Sequence, residues 1–194
     1  MKENTFDIIL IGGSAGSLEV ITYLLQSLPK TFTIPIVIIV HRMKNTSSRL
    51  DKMLTKQSGL RNVIEPEDKE PVKPGMIYLA PQNYHLLVEK DHSFSLDYSE
   101  PVNFSRPSID LSFESFSNVY GANTLAVLLS GANKDGAAGL RKVILSSGTA
   151  LIQSPETAEY TAMPTAAMEM NKTAIVQSPD EILNRILHNS NTKH

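Results

Sequence analysis

The stretch Phe6-Asp7-Ile8-Ile9-Leu10-Ile11-Gly12-Gly13-Ser14-Ala15-Gly16-Ser17 decides how this chain is read. A short apolar run rich in β-branched residues ends in G-x-S-x-G, and a helical pattern follows at once. The run predicts a buried strand over 6–11. The turn after it sets Ser14 on a tight strand-to-helix bend. The glycines allow the bend, the hydroxyl stands clear of the sheet edge, and the next helix aims its free N–H groups at the same point. The pentapeptide alone admits two readings: a nucleophilic serine, or a plain βα turn with Ser14 as helix N-cap.

Outward from this turn, strand and helix signals alternate. Residues 17–28 carry Leu18, Ile21, Leu24, Leu25 and Leu28 at helical spacing, and Pro29 ends that helix. A second apolar strand is expected over 34–40, with His41 directly after it, then a helix over 46–58 capped near Thr46 or Ser47. Pro66, Pro71, Pro74 and Gly75 break the rhythm, and 77–79, 84–88 and 94–98 read as short strands in antiparallel hairpins. A polar loop over 99–107 follows. The alternation then returns: helix 108–120 with Asp110 in its first turn, strand 124–129 running into Ser130-Gly131, and a helix from 135 or 136 to 146. Strand 149–152, helix 157–170 around Met163-Pro164, strand 174–176 and helix 179–187 complete the chain. The expectation is one α/β domain over 1–194, a doubly wound, mostly parallel sheet with helices on both faces and a short antiparallel hairpin insertion.

Composition narrows the function classes. A chain of 194 residues, 41% of them hydrophobic, can bury one good core. A net charge of −2 gives no basic footprint, so neither a nucleic-acid partner nor membrane insertion is expected. Cysteine is absent, which removes disulfides, Cys-ligated metals and thiol nucleophiles and fits a cytoplasmic location. No segment is long enough to span a membrane, and the first apolar run carries Asp7 and lacks the flanks of a signal peptide. His85, His92, His188 and His194 show no metal-ligand spacing, so no metal and no cofactor are expected.

In an open parallel sheet the functional edge lies at the carboxyl ends of the strands. Ser14 follows the first strand there, His41 the second, and Ser130-Gly131-Ala132-Asn133-Lys134-Asp135-Gly136 the third main one. Serine is a poor nucleophile until a base takes its proton. Imidazole suits that task near neutral pH, and a carboxylate on its far nitrogen fixes the tautomer. Taken singly, His41 could be a polar residue ending a strand, and Asp135 a helix N-cap.

Six segments, in order, resemble the chemotaxis protein-glutamate methylesterase (CheB) catalytic domain. Ile11-Gly12-Gly13-Ser14-Ala15-Gly16 with Leu18-Glu19 is similar to its I-G-A-S-T-G-G-x-E-A, and Val40-His41-Arg42-Met43 to its Q-H-M. Pro74-Gly75-Met76-Ile77-Tyr78-Leu79-Ala80-Pro81 resembles P-G-x-x-Y-I-A-P, and Arg106-Pro107-Ser108-Ile109-Asp110 resembles R-P-S-V-D. Leu129-Ser130-Gly131 through Asp135-Gly136-Ala137-Ala138-Gly139 is similar to L-T-G-M-G-x-D-G-A-x-G, and Ala162-Met163-Pro164 with Ala166-Ala167 to G-M-P-x-x-A.

The resemblance implies Ser14 as nucleophile, His41 as base and Asp135 as orienting carboxylate. The implied substrate is a glutamate γ-methyl ester on a methylated chemoreceptor or receptor-like protein, cleaved to glutamate and methanol, with receptor glutamine deamidation as a second activity. The order Ser, His, Asp also differs from the Ser, Asp, His of α/β-hydrolases. The oxyanion is expected to bind the backbone N–H of Ala15 and a second amide from the 131–134 loop. Arg106 would either pair with receptor carboxylates or pin its own loop to the sheet. Departures cluster at the site: Ala15 where Thr is frequent, Ser17 for Gly, Val40 for Gln, Arg42 inserted before Met43, and Ala162 for Gly. Family members usually carry an N-terminal receiver domain. None is expected here, since the chain opens just ahead of the first strand. That leaves either a stand-alone esterase, constitutive or controlled by a separate response regulator or histidine kinase, or a piece of a longer protein. The competing reading is a catalytically weak or inactive sensory or scaffold module that binds a receptor or kinase. Nucleotide binding fails, because Ser14 breaks G-x-G-x-x-G and G-K-[ST] is missing.

Overall fold

The structure, a computed structural model, describes residues 6–42, 49–59 and 62–188. Nine strands and six α-helices lie in these segments, with one 3-10 turn (Gly121–Asn123) after α3: β1 (Ile8–Gly13), α1 (Leu18–Gln26), β2 (Ile36–Val40), α2 (Leu50–Gln57), β3 (Val63–Ile64), β4 (Ile77–Leu79), β5 (His85–Val88), β6 (Phe94–Asp97), α3 (Ile109–Tyr120), β7 (Thr124–Leu128), α4 (Ala137–Leu145), β8 (Thr149–Gln153), α5 (Ala162–Met170), β9 (Ile175–Gln177) and α6 (Pro179–His188). Seven strands form one sheet in the order β3-β4-β2-β1-β7-β8-β9, and every pairing in it is parallel. β5 and β6 form the separate antiparallel hairpin. No helix among the described residues is long and apolar enough to cross a membrane.

The alternation of side chains along each central strand builds two cores. Ile9, Ile11, Ile36, Ile38, Leu125, Val127 and Leu151 face α1, α2 and α6, where Ile21, Leu24, Leu54, Ile182 and Ile186 close the layer. Ile8, Leu10, Val37, Ile39, Ala126 and Leu128 face α3, α4, α5 and the hairpin, against Phe113, Phe116, Leu140, Met163 and Phe94. Strands buried on both faces read as continuous apolar runs, as 8–11 and 36–40 do.

The chain leaves β1 toward β2 on one side of the sheet and returns at β7 on the other. α1 and α4, which follow these adjacent strands, therefore cover opposite faces. The crevice between their starting loops is where open α/β sheets place their sites. It holds the loops that carry Ser14 and Asp135, and the loop after β2 carries His41 beside it.

Several boundaries differ from expectation. β1 runs two residues further than 6–11, through Gly12 and Gly13. The absence of a side chain at Gly12 is what admits α3: a Cβ there would lie 2.6 Å from Ile109 and 2.9 Å from Phe113. Helix α5 starts at Ala162 rather than 157. Pro164 lacks an N–H and fits only the first turn, and 154–158 close by turn bonds instead. α1 stops at Gln26, where Ser27 caps the carbonyls of Tyr23 and Leu24. β3, two residues long, has no sequence signal. The caps expected at Thr46 or Ser47 lie outside the described residues.

Gly136 caps α4 in a left-handed conformation, φ 95°, where an added Cβ would sit 2.5 Å from Leu128 and 2.9 Å from Ile109. Gly136→Ala is expected to cost about 2–4 kcal/mol, from a strained backbone and an overpacked core together. Urea unfolding of the purified variant measures it.

Candidate active site

The elbow at Ser14 is held by its backbone. The Ser14 N–H donates to the Ser130 carbonyl at 2.9 Å, and its own carbonyl accepts from the Ser17 N–H at 3.1 Å and the Ser17 hydroxyl at 2.7 Å. Ser17, not Ser14, occupies the cap position of α1, so the plain N-cap reading of Ser14 does not describe this turn. Gly16 takes φ 75° against Ser130 and Glu159, which leaves no room for a side chain. Ser130 completes the clamp: its hydroxyl donates to the Ala15 carbonyl at 2.8 Å and accepts from Tyr160 N–H at 2.9 Å. The Ser14 hydroxyl itself has no hydrogen-bond partner among the described residues, and it lines a cavity of about 360 Å³ together with His41, Glu19 and Glu159. A larger cavity, about 650 Å³, opens far from His41 between the ends of α1 and α2 and carries none of the candidate groups.

His41 follows β2 directly, its N–H on the Gly13 carbonyl at 3.4 Å. Its Nε2 lies 2.7 Å from Asp135 Oδ2, and the two side chains are 12% and 0% exposed. A carboxylate only accepts, so Nε2 carries the hydrogen and Nδ1 presents its lone pair. Nδ1 is then the ring nitrogen left to accept a hydrogen.

Asp135 is not the cap of its own helix. Its carboxylate reaches across to α3, accepting from the backbone N–H of Ile109 at 2.8 Å and Asp110 at 3.1 Å, and from the Ser108 hydroxyl at 3.0 Å. Asp110 returns the exchange, its Oδ1 accepting from the N–H groups of Gly136 at 2.8 Å and Gly139 at 2.7 Å at the start of α4. Each carboxylate therefore caps the other's helix, and the positive ends of two helix dipoles flank the pair. Burial pushes the Asp135 carboxyl up. Donation from His41, Ile109 and Asp110 outweighs it and holds the group below its ordinary value. Asp110 is held above its ordinary value by burial and by the neighbouring Asp135 charge, against the pull of Gly139 and Gly136.

The two shifts act on stability with opposite signs. A depressed Asp135 contributes stability present above the unfolded-state value and lost as pH falls through the folded one. A raised Asp110 costs stability when ionised and returns it as pH falls through its elevated value. Urea unfolding from pH 7 down to 3 is therefore expected to show an Asp110 gain preceding the Asp135 loss, and Asp110→Asn should flatten the upper part of that curve.

A model of the CheB methylesterase family matches residues 9–186. The chain belongs to the CheB methylesterase family. A Leptospira interrogans relative, provisionally named protein-glutamate methylesterase/protein-glutamine glutaminase, is 44% identical over 177 residues, 91% of either chain. A Thermotoga maritima relative carrying the same pair of activities in its name is 35% identical over 165 residues. That alignment takes in 84% of this chain and 48% of the relative. The crystal structure of the Thermotoga maritima CheB methylesterase catalytic domain superposes with a TM-score of 0.88 at 32% identity, covering 95% of this chain and 98% of that one.

Within this CheB-type fold the departures acquire physical roles. Ser17 buttresses the elbow through Ser14 O. Arg42 is nearly buried and ion-paired to Glu65 while reaching the Ala80 carbonyl at 3.4 Å, which ties the end of β2 to the neighbouring strands. Met43 lies outside the described residues. The backbone N–H of Ala15 and those of Ala132 and Asn133 donate to no partner among the described residues, as oxyanion donors must. Arg106 is placed differently from the other candidates. Its Nη1 donates to the carbonyls of Tyr98 at 2.9 Å and Ser99 at 2.7 Å, and its guanidinium lies 4.0 Å from the Tyr98 ring centroid. That placement favours the loop-pinning role. The groups that sequence reasoning did not single out are Ser108 and Asn103 around Asp135, Glu19 and Glu159 at the cavity, and Asn133 beside His41. Glu19, Ser108 and Asn133 fall within segments that resemble the family's but carry no role from them, and Asn103 and Glu159 fall within none. No cluster of potential metal ligands occurs among the described residues.

Proposed function

We propose that this CheB-family chain is a cytoplasmic serine esterase that hydrolyses glutamate γ-methyl esters on a chemoreceptor or receptor-like protein, with Ser14 as nucleophile, His41 as base and Asp135 as the carboxylate that orients it. The observation that supports this reading most is the 2.7 Å bond between His41 Nε2 and a fully buried Asp135, on a ring that shares its cavity with an unpartnered serine hydroxyl.

Ser14 Oγ attacks the ester carbonyl while His41 Nδ1 takes its proton. The tetrahedral oxyanion sits on the Ala15 N–H and one N–H of the 132–133 segment, preorganised because the surrounding turn bonds already fix both. His41 returns the proton to the departing methoxide, releasing methanol. It then deprotonates a water that hydrolyses the acyl-enzyme, leaving glutamate and free Ser14. The same steps on receptor glutamine release ammonia, as the glutaminase part of the relatives' names suggests for those proteins. Methanol release from methylated receptor, compared between the wild type and Ser14→Ala, tests the reading.

A further inference from the structure

Asn133 stands between the two functional loops with its side chain committed at both ends. Its Oδ1 accepts from the Asp135 N–H at 3.0 Å, which fixes the amide's orientation: exchanged, the NH₂ would face a backbone donor. Its Nδ2 is thereby aimed at His41 Nδ1, 3.3 Å away. His41 Nε2 is bound to Asp135, so Nδ1 is the nitrogen left with a lone pair. The ring is thus gripped at both nitrogens by groups two residues apart in one loop.

We infer that Asn133 is a positioning residue for the base: its amide donates to the Nδ1 lone pair, holds the imidazole in plane with Asp135 and keeps Nδ1 unprotonated until substrate arrives. The inference rests on the reading of His41 as the base. A hydrogen on Nδ1 would point at the Asn133 NH₂, donor against donor, so the contact fits the tautomer with its hydrogen on Nε2. At 3.3 Å the bond is long for its kind, so the Ser14 hydroxyl can displace it when ester is bound. The Asx-type bond to Asp135 N also makes Asn133 part of the loop that carries the orienting carboxylate, so one residue couples the position of both partners.

The variant that separates positioning from loop structure is Asn133→Asp. It keeps the Oδ1 acceptor for Asp135 N–H and replaces the NH₂ donor by a carboxylate oxygen facing Nδ1. The other charged groups around His41 are unchanged by it: Asp135 on Nε2, Asp110 behind Asp135, Glu19 of α1 and Glu159 at the cavity, and Arg42 with its partner Glu65. The acid limb of kcat/KM for methanol release is expected to move up by about one pH unit or more, as an opposite charge at this range does. Asn133→Ala should move it up by less, with urea midpoints reported alongside. The His41 ring, followed by ¹³C and ¹⁵N NMR in the full chain, should titrate at correspondingly higher pH in Asn133→Asp and show an Nε2–H tautomer in the wild type. An unmoved acid limb together with an unmoved titration in Asn133→Asp overturns the inference. A moved His41 titration in a chain that releases no methanol keeps the placement of Asn133 and removes the esterase reading instead.

Discussion

Ser14→Ala is expected to lower kcat for methanol release by about 10⁵- to 10⁶-fold, the loss seen when the nucleophile of a serine triad is removed, while leaving the fold untouched. The elbow is held by the Ser14 N–H and carbonyl, by Ser17 and by Ser130, none of which alanine disturbs. The hydroxyl has no partner among the described residues, so its deletion breaks no internal bond. The urea midpoint should match the wild type. Residual turnover would then report what the N–H groups of Ala15 and the 132–133 segment do without a nucleophile. Equal release from both proteins would mean that another group attacks. No release from the wild type with any methylated receptor would move the chain to the binding-module reading.

The fold was legible because its pattern is local. Apolar runs of strand length at 8–11, 36–40 and 124–128, each followed by small and polar residues, are sufficient to predict a parallel sheet whose rim carries Ser14, His41 and Asp135. What sequence could not supply is long-range. Asp135 looks like the cap of α4, which begins two residues later, yet it caps α3, and Asp110 caps α4 in return. Nothing within either helix signals the exchange, since it depends on α3 and α4 meeting at their N-termini, where Gly139 lets the Asp110 backbone come close. Asn133 is hidden for the same reason: an asparagine in a loop is ordinary until β2 brings His41 beside it. Gly12 and Gly13 read as the end of a strand, whereas the parallel neighbours β2 and β7 carry the ladder through them. Arg106, which charge alone suggests for a carboxylate partner, is already occupied by backbone carbonyls and an aromatic face.

Asp135→Asn should lower kcat by about 10³- to 10⁴-fold and also destabilise the protein, and the geometry says how the two effects divide. Each carboxylate oxygen takes one backbone N–H of α3: Oδ2 that of Ile109, Oδ1 that of Asp110. An amide must therefore turn its NH₂ against one of them. Facing Oδ1, the NH₂ meets the Ser108 hydroxyl, which can rotate to accept, and the Asn103 amide, which keeps its bond to Asp110 Oδ2, so the donor left without a partner is the Asp110 N–H. Facing Oδ2, it meets both Ile109 N–H and His41 Nε2–H. The first orientation is preferred. It keeps an oxygen on His41 and hence the Nε2–H tautomer, and it leaves one buried donor unsatisfied, about 1–3 kcal/mol by urea unfolding. What catalysis loses is then the negative charge that stabilises the imidazolium as Ser14 gives up its proton. Two readouts follow. The acid side of the stability curve should flatten, because the carboxyl whose depressed titration lowers stability as pH falls is gone. Asp110, freed of its charged neighbour, should add less of its opposing gain over the range above. A kcat within tenfold of wild type, with the stability loss as stated, would assign Asp135 to capping α3 and leave His41 without a catalytic carboxylate.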